Sequence, residues 1–172
     1  MNDKKARHIE FEQMLRKSHR ILYRVCIAFT DRKAESVNDL YQEIVLNLWR
    51  GWPEFRGRSD TTSWVYRVAL NTAGTELRRR KHRGKMVLVP LNDAIVRTLT
   101  EETDPAKELL YELIDKLDDD EKKLLLLYLD RISYAQIRLL TGLSEVTARQ
   151  RIYRIKKKLV HLKQQEDEQY TQ

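Results

Sequence analysis

The stretch 133-SYAQIRLLTGLSEVTARQRIYRIKKKL-159 reads as two short helices joined by a tight turn, the second of them strongly basic. Ser133 and Gln136 form a capping box, in which the hydroxyl accepts from an orphan amide and the glutamine reaches back. Ile137, Leu139 and Leu140 are the expected apolar side of the first helix. Thr141-Gly142-Leu143 is the break, because glycine takes the left-handed conformation that ends a helix without steric cost. Ser144 caps the second helix, and Glu145 sits in its first turn, where the helix dipole favours an anion.

In the second helix Val146, Ile152, Ile155 and Leu159 recur at helical spacing and are expected to face a core. Arg149, Gln150, Tyr153, Arg154 and Lys157 fall on the opposite face, with Arg151 on the flank. A helix, a glycine turn and a second helix with Arg, Gln and Tyr outward is the arrangement that enters a major groove. Arginine can donate two bonds to guanine and glutamine two to adenine, while further cations neutralise phosphates. A solvated charged face on an ordinary bundle helix would look similar. The charge density favours the groove reading: Ser144–Lys163 holds seven Lys/Arg against one acid, a net of +6.

The rest of the composition narrows the class. The chain has 172 residues, 34% charged and 41% apolar, with five Gly and three Pro, which suits a soluble, mostly helical protein of one or two small domains. The net charge of +7 is unevenly spread. Trp64–Lys85 carries seven Lys/Arg and one Glu, whereas Asp104–Glu121 carries eight acids and two Lys. Two basic blocks separated by an acidic one suggest two contact surfaces on a long anion. Cys26 is the only cysteine, so no intramolecular disulfide can form and a reducing compartment fits. Its apolar neighbours make it a small core residue rather than a reactive thiol. The four histidines lack metal-ligand spacing, and no cofactor is expected. No apolar run approaches the roughly 20 residues of a membrane span, and basic residues interrupt any signal-peptide core. A cytoplasmic protein, not inserted in a membrane, is expected.

Along the chain, Met1–Arg7 reads as a polar lead-in and Glu10–Phe29 as a first amphipathic helix. Ser36, Asn38 and Asp39 are available caps for a second, DLYQEIVLNLWRGW. There Leu40, Ile44 and Leu48, with Val45 at the margin, point inward, leaving Asp39, Gln42, Glu43 and Asn47 outward. Gly51 and Pro53 end it. After the loop Phe55–Asp60, a third helix capped by Asp60, Thr61 or Thr62 buries Trp64, Val65, Val68 and Ala69, with Leu77 at the margin. Arg67, Asn71, Arg78, Arg79 and Arg80 are left for another molecule. Gly74 within that helix costs about 1 kcal/mol relative to alanine. Residues 81–103 lack a clear period and read as a linker, with a helical turn or two near Leu91–Leu99. Asp104-Pro105 then starts a helix with Leu109, Leu110, Leu113, Ile114 and Leu117 inward. Asp118 and Glu121 cap another, carrying Leu124, Leu125, Leu127, Tyr128 and Leu129. From Val160 the chain reads as a frayed polar tail.

The order DLYQEIVLNLW, FRGRSDTTSWVYRVALN, LRRR, linker and C-terminal helix-turn-helix resembles a bacterial RNA polymerase sigma factor. It looks like the compact two-domain, extracytoplasmic-function class of the sigma-70 family, over about Glu10–Lys163. The resemblance implies an all-α fold of two small helical domains joined by a flexible linker, the C-terminal one a helix-turn-helix. The implied divisions are 1–80, a linker at 81–103, 104–163 and a tail at 164–172. It implies that Asp39, Gln42, Glu43 and Asn47 dock on the clamp helices of core RNA polymerase. It places Phe55, Arg56, Ser59, Thr61 and Asn71 around melted bases of the minus-ten element, with Arg78, Arg79 and Arg80 on the backbone. For Phe55 and Trp64, packing in a core is the competing role. Arg149, Gln150 and Tyr153 would face bases of the minus-thirty-five element, and Thr147, Arg151, Arg154 and Lys157 would position phosphates. Many relatives are held inactive by an anti-sigma factor, so such a partner is also implied, with no small-molecule substrate. Two positions depart from the family pattern: Thr75, where an acid is common, and Arg138, where a small residue is usual.

Two other readings compete. A stand-alone helix-turn-helix regulator on operator DNA leaves the DLYQEI helix and the FRGRS loop without a task. An enzyme acting on nucleic acid would need a carboxylate cluster or metal site near a basic groove, but Asp118–Glu121 is explained by capping.

Overall fold

Apolar residues at three- and four-residue spacing recur through most of the sequence, and helices follow wherever they do. The computed structural model describes the backbone of residues 2–55, 57, 60–82 and 105–169, and side chains except those of 2–4, 80–82, 105–107 and 169. These residues form seven α-helices and one 3-10 turn, with no strand among them. The helices are α1 (Asn2–Phe29), α2 (Ala34–Gly51), α3 (Thr61–His82), α4 (Pro105–Asp115), α5 (Asp119–Leu129), α6 (Tyr134–Thr141) and α7 (Glu145–Gln169). Contacts divide the chain into two units, Met1–Leu99 and Thr100–Gln172. Arg56, Ser59, the expected cap Asp104 and the expected linker beyond residue 82 lie outside the described residues.

In the first unit α1, α2 and α3 pack mutually around Leu22, Val25, Leu40, Ile44, Leu48, Val65 and Tyr66, all fully buried or nearly so. Cys26 is buried here, and burial pushes its thiol up to about 12, as suits a packing residue. Three expectations are corrected. Helix α1 begins at Asn2 rather than Glu10, because Lys4, Lys5, Ala6 and Arg7 are good helix formers and His8 and Glu12 pair one turn apart at 3.3 Å. Helix α2 begins at Ala34, so Ser36, Asn38 and Asp39 lie inside it and none caps it. Its buried stripe starts at Val37, whose N–H donates to Lys33 O at 3.0 Å and so closes the first turn ahead of it. On α3 the buried side is Val65, Tyr66, Ala69, Leu70 and Ala73, while Trp64 and Val68 are half-buried.

In the second unit α4, α5 and α6 each pack on α7. The capping boxes form as read. Ser133 Oγ accepts from Gln136 N–H at 3.2 Å, and Asp118 Oδ1 accepts from Glu121 N–H at 2.8 Å. Gly142 is left-handed (φ 74°), and its N–H donates to Arg138 O at 2.8 Å. Ser144 Oγ accepts from Thr147 N–H at 3.1 Å, capping α7. Here too the core differs from expectation. Leu139 is 75% exposed, Val146 is 66% exposed and Leu129 is also exposed, whereas Leu126 and Ala148 are buried. The two helices of the turn pack on each other, and Ile137 on one and Ala148 on the other are fully buried. The stretch from Val160, expected to fray, continues α7 to Gln169, held by a Lys116–Glu166 ion pair.

At Gly142 a β-carbon would meet nothing within 4 Å, so the cost of Gly142→Ala is purely conformational. It should destabilise the second unit by about 1–2 kcal/mol, seen as a lower urea midpoint, and Gly142→Asn by less. Asp130 is half-buried, and desolvation raises its carboxyl to about 6. A raised acid stabilises the fold only while protonated, so its contribution is present below about pH 4 and lost as pH rises through about 6. Asp130→Asn should therefore raise the urea midpoint at pH 7.5, with the gain over wild type disappearing by pH 4.

Candidate functional site

Each unit presents one surface that its own packing leaves uncovered. On α7, Ala148, Ile152 and Ile155 are turned into the core, which fixes the opposite face by the 100° step of the helix. Arg149, Gln150, Arg151, Tyr153, Arg154 and Lys157 are all exposed. Thr147 is half-buried, and its hydroxyl lies 2.8 Å from Ser144 Oγ, so it serves the cap first. Arg149 is held over the ring of Tyr134 on α6, its Cζ 4.7 Å from the centroid, and Lys157 lies 5.6 Å from the Tyr153 centroid. Such contacts restrict long cationic side chains before any ligand arrives.

The lysine run Lys156–Lys158 divides in a way the sequence conceals. Lys156 reaches Tyr128 on α5, with Nζ 3.5 Å from the hydroxyl and 5.1 Å from the ring centroid. Lys158 Nζ lies 2.6 Å from Glu121 Oε2. The two flanking lysines thus bind the helix to its scaffold, and Lys157 between them projects with the outer face. A helix bearing arginines, a glutamine and a tyrosine outward can donate to base edges and phosphates of a duplex.

In the first unit α2 and α3 enclose an open groove of about 430 Å³. It brings together Glu43 and Asn47 from α2 with Asn71 and Arg79 from α3. Arg50, Thr75 and Glu76 also line it; sequence reading had given them no role, although Arg50 shares the helical stripe of Glu43 and Asn47. Asn47 does not point outward as expected. It is half-buried, and its Nδ2 donates to Thr72 Oγ1 at 3.1 Å, tying the two helices together. Asp39 and Gln42 are half-buried on α2 and do not line the groove.

Phe55 and Trp64 belong to an aromatic cluster beside this groove. Phe55 lies 4.7 Å from Trp64 and is stacked on Trp52 at 5.7 Å, while Phe11 bridges Trp52 and Trp49. Gly51 permits the cluster, since a β-carbon there would sit 3.2 Å from Trp64 Cζ2. The ring of Phe55 is therefore committed to packing, though half-exposed. Thr61 opens α3 half-buried, beside Asp60, whose Oδ2 accepts from Ser63 N–H at 3.1 Å. Arg78 and Arg79 are exposed along the last turns of α3; the side chain of Arg80 lies outside the described residues.

Comparison with known proteins places this geometry. The family model for sigma-70 region 2 matches residues 11–83, and that for sigma-70 region 4 matches residues 107–159. The extracytoplasmic-function RNA polymerase sigma factor SigG, from two strains of Mycobacterium tuberculosis, is 40% identical over 45 residues. That stretch is 26% of this chain and 12% of SigG. Among solved structures, the sigma factor RpoE of Bartonella quintana, in complex with the anti-sigma factor NepR, aligns with a TM-score of 0.69 at 17% identity, over 90% of this chain and 97% of RpoE. CnrH, in complex with the cytosolic domain of CnrY, aligns at 0.62 and 20% identity, over 88% of this chain and 86% of CnrH. At those identities the likeness is one of fold, whereas the two matched regions cover, in order, the groove of the first unit and the basic face of α7. The chain belongs to the sigma-70 family.

Proposed function

We propose that this chain is a transcription initiation factor that binds core RNA polymerase and directs promoter recognition and melting through two DNA-binding domains. The observation that best supports the reading is the outward face of α7, with Arg149, Gln150, Tyr153, Arg154 and Lys157 exposed together. In this reading residues 104–163 read the minus-thirty-five element as duplex, with Thr147 and Arg151 also near phosphates. Residues 1–80 engage the polymerase clamp through Asp39, Gln42, Glu43 and Asn47. The same domain holds melted minus-ten bases near Phe55, Arg56, Ser59, Thr61 and Asn71, with Arg78, Arg79 and Arg80 on the backbone. Residues 81–103 link the two.

The protein's part is non-catalytic: it selects and opens DNA, and polymerase performs the chemistry. Two small domains gain effective concentration when polymerase holds them on one promoter, so affinity for free DNA is low. The place of action is the cytoplasm; among the described residues no helix is long and apolar enough to cross a membrane. RpoE of Bartonella quintana was solved with an anti-sigma factor, and a protein inhibitor of that kind is proposed for this chain too.

The deciding experiment is a pull-down against core RNA polymerase followed by run-off transcription from a genomic fragment library. Binding with a new set of start sites supports the reading. Tight duplex binding without polymerase, on palindromic sites, would instead favour a stand-alone helix-turn-helix regulator. On the mapped promoter, Arg149→Ala should relax preference at one base pair, costing roughly 1–3 kcal/mol there; an equal loss across all sequences would make Arg149 a phosphate contact. Arg79→Ala should weaken open-complex formation, followed by permanganate reactivity, without altering duplex recognition. Equal losses in both assays would count against that role.

A further inference from the structure

Two valines on the outer face of α7, Val146 and Val160, are exposed without a packing reason, and Val146 is the one in the first turns beside Arg149 and Gln150. It stands three, four and seven residues before Arg149, Gln150 and Tyr153, on the same side of the helix, and is 66% exposed. Its neighbour Thr147 is engaged with the Ser144 cap, and Ala148 is fully buried. The cap and the core contact of this turn are thus supplied by other residues. A β-branched side chain in a helix loses rotamer freedom, and valine here gains no packing in return.

The surroundings select what covers it. From Ser144 to Lys163 the chain carries seven Lys/Arg and one acid, so a second copy of this face is repelled and a polyanion attracted. On the base edges of a major groove, the apolar feature available is the C5-methyl group of thymine. We infer that Val146 packs against a thymine methyl in the upstream promoter element, beside the bases met by Arg149 and Gln150, and so sets sequence preference at that position. The inference rests on α7 being the duplex-reading helix.

The test uses holoenzyme, reconstituted from the full chain and core polymerase, on the duplex promoter mapped by run-off transcription. Each thymine of the upstream element is replaced in turn by deoxyuridine, which deletes the methyl and keeps every hydrogen-bonding group. One replacement should weaken wild-type binding roughly fourfold, the effect of uncovering about one methyl group. Val146→Ala should bind the thymine and deoxyuridine duplexes alike, and Val146→Thr, which retains a methyl, should keep part of the discrimination. If wild-type holoenzyme protects the upstream element but ignores every replacement, the methyl contact is overturned and the reading of α7 survives. Undiminished discrimination by Val146→Ala would also overturn it, by giving the contact to another residue. An unprotected upstream element would overturn the helix assignment and the contact together.

Discussion

The second unit depends on a narrow apolar stripe. Helix α7 is 25 residues long, yet Ala148, Ile152 and Ile155 are its only fully buried residues among those described. Fully burying an isoleucine contributes roughly 1.5–3 kcal/mol, so this stripe, with half-buried Leu159, supplies most of the attraction that seats the helix. It also fixes the helix's rotation. Once Ala148, Ile152 and Ile155 face inward, Arg149, Gln150 and Tyr153 must face away. The left-handed Gly142 sets where α7 starts, and the Ser144 cap sets its first turn. Recognition chemistry follows from where three apolar side chains go.

The first unit is organised by a polar contact at the seam of two helices. Asn47 and Thr72 meet across α2 and α3, and Thr72 Oγ1 also donates to Val68 O at 2.8 Å. A buried hydroxyl satisfied from both sides pins the register of the two helices. That register places Glu43 and Arg50 on one wall of the groove and Glu76 and Arg79 on the other. Both walls carry both signs of charge, unlike the uniformly cationic face of α7. A mixed wall suits hydrogen bonding to individual groups, whereas a cationic face suits attraction to a whole phosphate chain. The aromatic cluster of Phe11, Trp49, Trp52, Phe55 and Trp64 closes the end where α2 hands over to the loop.

Much of this was legible in the sequence, and the failures have physical causes. Capping boxes at Ser133 and Asp118 and the glycine stop at Gly142 are local chemistry, settled within four residues. The helical stripe of α2 was legible from Leu40 onward. What local pattern could not decide was which apolar residues are buried. Leu139 and Val146 look like core by spacing, but α6 is eight residues long and meets α7 through Ile137 alone among its fully buried residues. Alanine at 148 was overlooked because small residues carry little hydrophobic signal, though they are what allow two helices to approach. In α3 the true buried side, centred on Tyr66 and Ala69, differs from the expected one by about a quarter of a turn. Tyr66 carries a hydroxyl and was not counted as core. The role of Asn47 was hidden for the same reason: a polar residue with a polar partner across a seam reads, in sequence, as a solvent-facing one.

The acidic segment from Asp104 to Glu121 completes the account of the basic helix. Read as sequence, a net of −6 beside a net of +6 suggests cancellation. In the fold, the acids meet particular cations. Glu121 takes Lys158 of α7, Asp120 takes Lys123 of its own helix, and Lys116 within the acidic segment takes Glu166 of α7. Exposed pairs of this kind contribute little stability individually, so their effect is positional. They draw Lys158 to one flank of α7, while Tyr128 holds Lys156 at the other. The charges that remain outward, on Arg149, Arg154 and Lys157, project from the side of α7 opposite the buried stripe. Screening in physiological salt acts over about 8 Å, so a phosphate on that face is held chiefly by these nearby cations. The acidic block therefore does not neutralise the basic one. Glu121 of that block holds Lys158 at one flank and Tyr128 holds Lys156 at the other, so the cations left to meet DNA lie on one side of a single helix.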